Sequence, residues 1–239
     1  MVIGISGIPA SGKSTFAALL LKHTNLLLKS QLSHVPALPS TEYAPIISGE
    51  ATPEAIVVTL DGWHLTRAQL DAMPDPKLAH DRRGSHWTFD SERYVAFVRS
   101  LKQASMRVIT APSFDHALKD PAPDTVSIHS FHRIVIIEGL YTFLSIDPWK
   151  EAGELLDGRW LIQIDFEEAK RRLVKRHVLT GVAKDEKEAN WRAEENDMPS
   201  MCYMYTLVNA PLSNRSHIWR RSFSSFEYIG THKDHCKHR

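Results

Sequence analysis

The segment Gly7-Ile8-Pro9-Ala10-Ser11-Gly12-Lys13-Ser14 fits the pattern G-x-x-x-x-G-K-[ST] at every fixed position, and it follows directly on the apolar run Val2-Ile3-Gly4-Ile5-Ser6. Val2 to Ser6 reads as a short buried strand, while Phe16-Ala17-Ala18-Leu19-Leu20-Leu21 continues as a helix rich in good helix formers. A loop between a strand end and a helix start turns its backbone N–H groups toward one point, and the helix N-terminus adds partial positive charge there. Residues Gly7, Ile8, Pro9, Ala10, Ser11, Gly12, Lys13, Ser14 and Thr15 are therefore expected to hold a nucleotide polyphosphate. Lys13 would meet the β and γ oxygens and Ser14 would ligate Mg²⁺. Glycine is expected at positions 7 and 12 because a side chain there would obstruct the approach of backbone to phosphate.

A chain of 239 residues is long enough for one α/β domain with a full core. The 29 Lys and Arg residues nearly balance the 28 Asp and Glu residues, so no global field attracts nucleic acid or an anionic membrane. Basic residues must act locally. No apolar run reaches the length of a membrane span, and the first strand begins at Val2 with no signal-like core before it, which leads to the expectation of a cytoplasmic protein. Cys202 and Cys236 are too few for a disulfide framework and are read as free thiols.

The rest of the chain alternates strands with helices. Pro36, Pro39, Pro45 and Pro53 mark a long irregular segment. Ala55 to Leu60 is a second strand, ending on Asp61-Gly62-Trp63-His64. Asp90 or Ser91 caps a helix through about Ala104, with Tyr94, Phe97, Val98 and Leu101 at helical spacing. Arg133 to Ile137 is a third strand, followed by Glu138-Gly139. Trp160 to Ile164 is a fourth, ending on Asp165. Phe166 to about Leu179 reads as a basic helix, and Lys184 to Glu195 as another polar one. This order predicts a three-layer α/β fold, a mainly parallel sheet with helices on both faces and a helical lid, whose ligands sit at the carboxyl ends of the strands.

Asp61, Glu138 and the glycine-rich loop all lie where their own strands end, so a parallel sheet aims them at one crevice. Phosphoryl transfer needs positioned phosphates, Mg²⁺, positive charge on the moving group and a base for the acceptor hydroxyl. Asp61 suits the base and Glu138 suits the metal. The stretch from His80 to Asp90 is dense in His, Arg, Trp and Asp without periodicity, which suits a polar pocket for a small anionic or hydroxylated substrate. His64, Arg82, Arg83, His86, Trp87 and Asp115 are the candidate acceptor contacts, with Arg82 and Arg83 suited to a carboxylate or phosphate. Arg172 and Arg176, four residues apart, share a helix face beside Thr180-Gly181, a candidate hinge.

The sequence resembles the small-molecule kinases of the phosphoribulokinase, uridine kinase and pantothenate kinase group, closest to its fungal ATP-dependent kinases and bacterial sugar-kinase relatives. The resemblance runs from residue 2 to about 199. It rests on the Gly7–Ser14 loop, D-G-W-H-L from Asp61, R-R-G-S-H-W-T-F-D from Arg82, A-P-S-F-D-H from Ala111, I-V-I-I-E-G-L-Y from Ile134, R-R-L-V-K-R-H from Arg171 and E-N-D from Glu195. It implies ATP and Mg²⁺ as cofactors, a small-molecule hydroxyl as acceptor, Asp61 as general base, Glu138 as a carboxylate beside the metal, and Arg172 and Arg176 in a lid over the phosphates.

On this reading residues 1–200 form the kinase domain. Residues 201–239 are a separate segment, in which Met201 to Val208 could supply an edge strand and the polar remainder a tail. His232, His235, Cys236 and His238 are read as part of that tail, since no second ligand cluster at zinc-finger spacing precedes them. A GTPase switch is disfavoured: Asp81-Arg82-Arg83-Gly84 fits D-x-x-G but follows no apolar strand, and no N-K-x-D occurs. The remaining alternative is a nucleotide-binding protein with only ATPase or regulatory activity. No nucleic-acid or membrane partner is expected, and a homodimer is left open.

Overall fold

Five parallel strands stack in the order β2-β5-β1-β6-β7, where β1 is Val2–Gly7, β2 Ala55–Thr59, β5 Ile134–Gly139, β6 Gly158–Gln163 and β7 Ile218–Ser222. The computed structural model describes residues 1–32, 53–103, 107–115, 117–197 and 218–222. The central strands β1 and β5 are almost wholly buried, as expected for a parallel sheet covered on both faces. Along β1 successive side chains face opposite layers. Ile3 and Ile5 pack with Ile136, Ile162 and Ala17, the last from helix α1, Lys13–Leu32. Val2 belongs to the opposite layer, with Tyr94 and Val98 of α4, Ser91–Lys102, and Trp149 of α5, Trp149–Leu155. Each fully buried large aliphatic residue, such as Ile5 or Ile136, contributes about 1.5–3 kcal/mol relative to exposure.

Helix α4 starts where its cap predicts, with the Asp90 carboxylate accepting from the Arg93 amide at 3.1 Å. Helix α6, Phe166–Leu179, begins likewise on Asp165, whose carboxylate accepts from the Glu167 and Glu168 amides. Strand β6 starts two residues earlier than expected because Arg159 is buried, its Nη1 donating to the Gly153 carbonyl at 3.2 Å. A buried guanidinium is tolerated when it is hydrogen-bonded, so its charge did not mark a strand boundary. Helix α7, Glu186–Arg192, gives way to a single π turn over Ala193–Asp197.

Two elements depart from the sequence reading. An antiparallel hairpin of β3, Ile109–Asp115, and β4, Asp120–Ile128, stands apart from the main sheet. The edge strand is Ile218–Ser222, parallel to β6, inside the stretch expected to be an aperiodic tail. The alternative edge-strand candidate, Met201 to Val208, and the His232–His238 cluster lie outside the described residues. Among the described residues no helix is long and apolar enough to cross a membrane.

Candidate active site

At the carboxyl end of β1 the chain turns through the glycine-rich loop into α1. The Ser11 amide donates to the Ile8 carbonyl at 3.1 Å and the Phe16 amide to the Gly12 carbonyl at 2.9 Å. The two glycines are needed for different reasons. A Cβ on Gly7 would stand 2.7 Å from Ser11 Oγ and 2.9 Å from the Ile162 carbonyl oxygen, whereas Gly12 has open space but a φ of +88°. Gly7 is thus required by the packing of the loop on β6, and Gly12 by left-handed backbone.

A cavity of about 250 Å³ lies at this rim and is bordered by Lys13, Ser14, Asp61, Glu138, Arg176 and Asp197, together with His64, Arg82 and Arg83. Glu138 closes β5 and Asp61 sits in the 3-10 turn Leu60–Trp63 that follows β2. Ser14 Oγ donates to Glu138 Oε1 at 3.0 Å, while the buried Oε2 has no hydrogen-bond partner. Burial raises the Glu138 pKa, opposed by Lys13 and the Ser14 hydrogen bond and reinforced by Asp61. Burial lowers the pKa of Lys13, against the pull of Glu138 and Asp61. Both groups are pushed toward their neutral forms, so a bound polyanion and cation would each relieve a desolvated charge.

The wall opposite the loop is assembled from short pieces. Helix α2, Arg67–Asp71, is entered through a capping box of Thr66 and Gln69, and α3, Pro76–Asp81, through Asp75 with Pro76 at its first position. After α3 the Arg83 guanidinium donates to the Lys119 carbonyl (2.7 Å), the Leu65 carbonyl (2.9 Å) and Asp120 Oδ1 (2.9 Å), and it lies 5.5 Å from the Phe114 ring centre. Asp120 also receives the Arg67 amide and Nε. Against the cost of burial, the Arg67 and Arg83 hydrogen bonds hold its carboxyl below the ordinary range. Arg82 donates through Nη1 to the Glu195 carbonyl, tying the π turn to the same wall. His64 packs against Phe89 and Phe114, at ring separations of 4.0 and 5.2 Å, and donates through Nδ1 to the Asp61 carbonyl at 2.9 Å. Burial, opposed by Asp61 and reinforced by Arg83, lowers its pKa, which favours the neutral imidazole with Nε2 as an acceptor. The turn and hairpin touch backbone to backbone: a Cβ on Gly62 would stand 2.3 Å from the Pro112 carbonyl oxygen.

The structure therefore brings together Lys13, Ser14, Asp61, His64, Arg82, Arg83, Glu138 and Arg176 of the residues read from sequence. Pro9 of the glycine-rich loop joins them, and of the catalytic and acceptor candidates four are left outside the cavity. Arg172 Nε donates to Glu168 Oε1 at 2.6 Å, four residues earlier on its own helix, so sharing a face with Arg176 does not carry it to the site. His86 packs nearly perpendicular to the Tyr141 ring, Trp87 is 40% exposed, and the Asp115 carboxylate accepts from the Ala117 and Leu118 amides in the hairpin turn. Arg83 borders the cavity, but each of its terminal nitrogens is engaged by the protein. By contrast, the side chains of Lys13, Asp61 and Arg176 make no hydrogen bond or ion pair among the described residues. Asp197, singled out in sequence only within Glu195-Asn196-Asp197, is the cavity residue that spacing alone did not assign a role.

The fold and rim define a P-loop kinase, and comparison with known proteins identifies its family. The ATP-dependent kinase-like protein notR' of Aspergillus versicolor is 47% identical over 141 residues, which cover 58% of this chain and 82% of that protein. A protein of Schizosaccharomyces pombe named for uridine kinase activity is 32% identical over 204 residues, 85% of this chain and 77% of its own. The crystal structure of YFH7 from Saccharomyces cerevisiae, described as a P-loop kinase with a circular permutation, superimposes with a TM-score of 0.77 at 25% identity, covering 93% of this chain and 92% of that one. No protein-family model matches the sequence. The chain belongs to the P-loop kinase family of these ATP-dependent and uridine kinase relatives, and it is an ATP-binding protein of that family.

Proposed function

We propose that the protein transfers the γ-phosphoryl group of ATP to a hydroxyl of a small metabolite. One observation carries the reading: Lys13, Asp61 and Arg176 border a single cavity, yet among the described residues none of their side chains makes a hydrogen bond or a contact ion pair, though Lys13 feels the fields of Glu138 and Asp61. Two other guanidiniums are engaged by the protein, Arg83 on the wall of the cavity and Arg172 on the helix that carries Arg176. Unpaired charge in a cavity costs stability, and it is kept where a ligand supplies the partner.

In this reading the glycine-rich loop holds the phosphates and Lys13 neutralises the β and γ oxygens. Asp61 accepts the proton of the acceptor hydroxyl as its oxygen bonds to the γ phosphorus and the bond to the ADP oxygen breaks. Arg176 faces the charge spread over the moving group. Ser14 Oγ and the unpartnered Glu138 Oε2 are the donors suited to Mg²⁺, which takes one or two protein oxygens plus phosphate and water. When bound, the ion would neutralise phosphate charge.

The test is a metabolite-pool screen with γ-labelled ATP and the purified full chain. Label appearing on a pool component in proportion to ATP consumed is the expected outcome. Hydrolysis of ATP to phosphate, unchanged by any pool fraction, would overturn the kinase reading in favour of a bare ATPase.

A further inference from the structure

We propose that Asp197 determines acceptor specificity, its carboxylate receiving hydrogen bonds from acceptor hydroxyls other than the one phosphorylated. The inference rests on the kinase reading above. Asp197 ends the π turn that follows α7, and it borders the same cavity as Asp61 and Arg176. Its side chain is only 26% exposed, yet no donor reaches it among the described residues. The nearest cation, His177 Nε2, stands 3.9 Å away, beyond hydrogen-bond range, and burial favours its neutral form. Arg176 and Arg192 act on Asp197 through their fields but form no ion pair with it at contact distance.

The turn is nonetheless held in place. Arg82 grips the Glu195 carbonyl two residues earlier, and Lys170 donates to Glu194 at 2.7 Å. The protein thus fixes the backbone that carries Asp197 while leaving the carboxylate itself unsatisfied. Such a group is costly: burial, opposed by Arg176 and Arg192, pushes its pKa up to about 6. The sign is clear. A carboxyl whose folded pKa exceeds its unfolded value of 3.8 destabilises the fold progressively as pH rises from about 4 to about 6, and remains destabilising at neutral pH. A structural carboxylate would be paired. One retained at a stability cost on a ligand cavity is a recognition group.

The neighbouring charges give the acceptor its class. The terminal nitrogens of Arg83 are engaged by protein oxygens, Arg82 Nη1 holds the Glu195 carbonyl, and Arg176 is assigned above to the moving phosphoryl group, which leaves two carboxylates, Asp61 and Asp197, to face the acceptor. The ties to Glu195, Lys119, Leu65 and Asp120 count against Arg82 and Arg83 clasping an anionic acceptor. A neutral polyhydroxylated molecule, donating to Asp197 while presenting one hydroxyl to Asp61, fits that balance.

Asp197→Asn and Asp197→Ala in the full chain test the idea through two independent measurements. With uridine, a hexose or whichever acceptor the label screen returns, KM for the acceptor should rise about tenfold for Asn and about a hundredfold for Ala, with kcat and Mg·ATP affinity changed less than about threefold. At pH 7.5 the Asn variant should also melt higher than wild type, and the difference should vanish near pH 4. An acceptor KM unchanged in an active Asn variant, or a fall in kcat or nucleotide affinity alone, would overturn the inference by making Asp197 a holder of Arg176. A lower melting temperature for Asn would overturn it without any acceptor, by showing that the carboxylate is structural. Wild-type enzyme that labels no acceptor at all would instead sink the kinase reading, and this inference with it.

Discussion

The two ends of the cavity are built in contrasting ways. The nucleotide end is one continuous stretch, Val2 to Leu32, in which strand, loop and helix follow without interruption and the backbone itself forms the cradle. The acceptor end draws on a 3-10 turn, two helices of five and six residues, a detached hairpin and a π turn, joined by hydrogen bonds that span up to 113 positions. The first end depends on backbone geometry and can be written in eight residues. The second depends on side-chain ties, chiefly Arg83 and Asp120, so its shape can change without disturbing phosphate binding.

The sharpest way to break that division is at Lys13. Lys13→Ala should abolish phosphoryl transfer and strongly weaken Mg·ATP binding, because it removes the point charge meeting the β and γ oxygens. Calorimetry giving an unchanged nucleotide affinity would erase the distinction between the two ends. Asp61→Asn comes next: turnover should fall by about 10²–10⁴-fold while Mg·ATP affinity holds, since a carboxamide cannot take the acceptor proton. Joint loss of binding and turnover would move Asp61 to the nucleotide side. Arg83→Gln should loosen only the acceptor wall, raising acceptor KM by about tenfold with nucleotide affinity intact, as two or three hydrogen bonds are lost. The smallest expected effect is at Arg172. Arg172→Gln should leave kcat within about twofold, since the side chain pairs with Glu168 in solvent, whereas Arg176→Gln should lower kcat well beyond any rise in acceptor KM. Equal losses in the two variants would mean that the helix rearranges to bring both arginines to the phosphates.

The same contrast explains what could be read from the chain. The Gly7–Ser14 loop, the strand ends near Asp61 and Glu138, and the Asp90 cap of α4 are local patterns, and each lies where periodicity and capping put it. The hairpin was hidden by Pro112, Pro121 and Pro123, which argue against a ladder and are tolerated here because β3 and β4 form a two-stranded sheet with open edges. The roles of Arg83 and Arg172 were illegible for another reason. A guanidinium that binds an anion and one that fastens a loop look alike in sequence, and only the partners, Asp120 and Glu168, tell them apart. Asp197 stood in view as part of a motif, but its importance lies in what is missing around it, which no pattern of residues can express.

Gly62 leaves no room between the turn that carries Asp61 and the carbonyl of Pro112 in the hairpin. The proposed base and the wall proposed for the acceptor therefore shift together, like a key bit soldered to its shaft. A descendant enzyme exploring a new acceptor cannot redraw the hairpin alone, because any backbone shift at Pro112 is felt at Asp61. Exchange of acceptor preference between relatives should accordingly succeed when residues 61–64 and 109–128 travel as one cassette, and fail when either is grafted by itself.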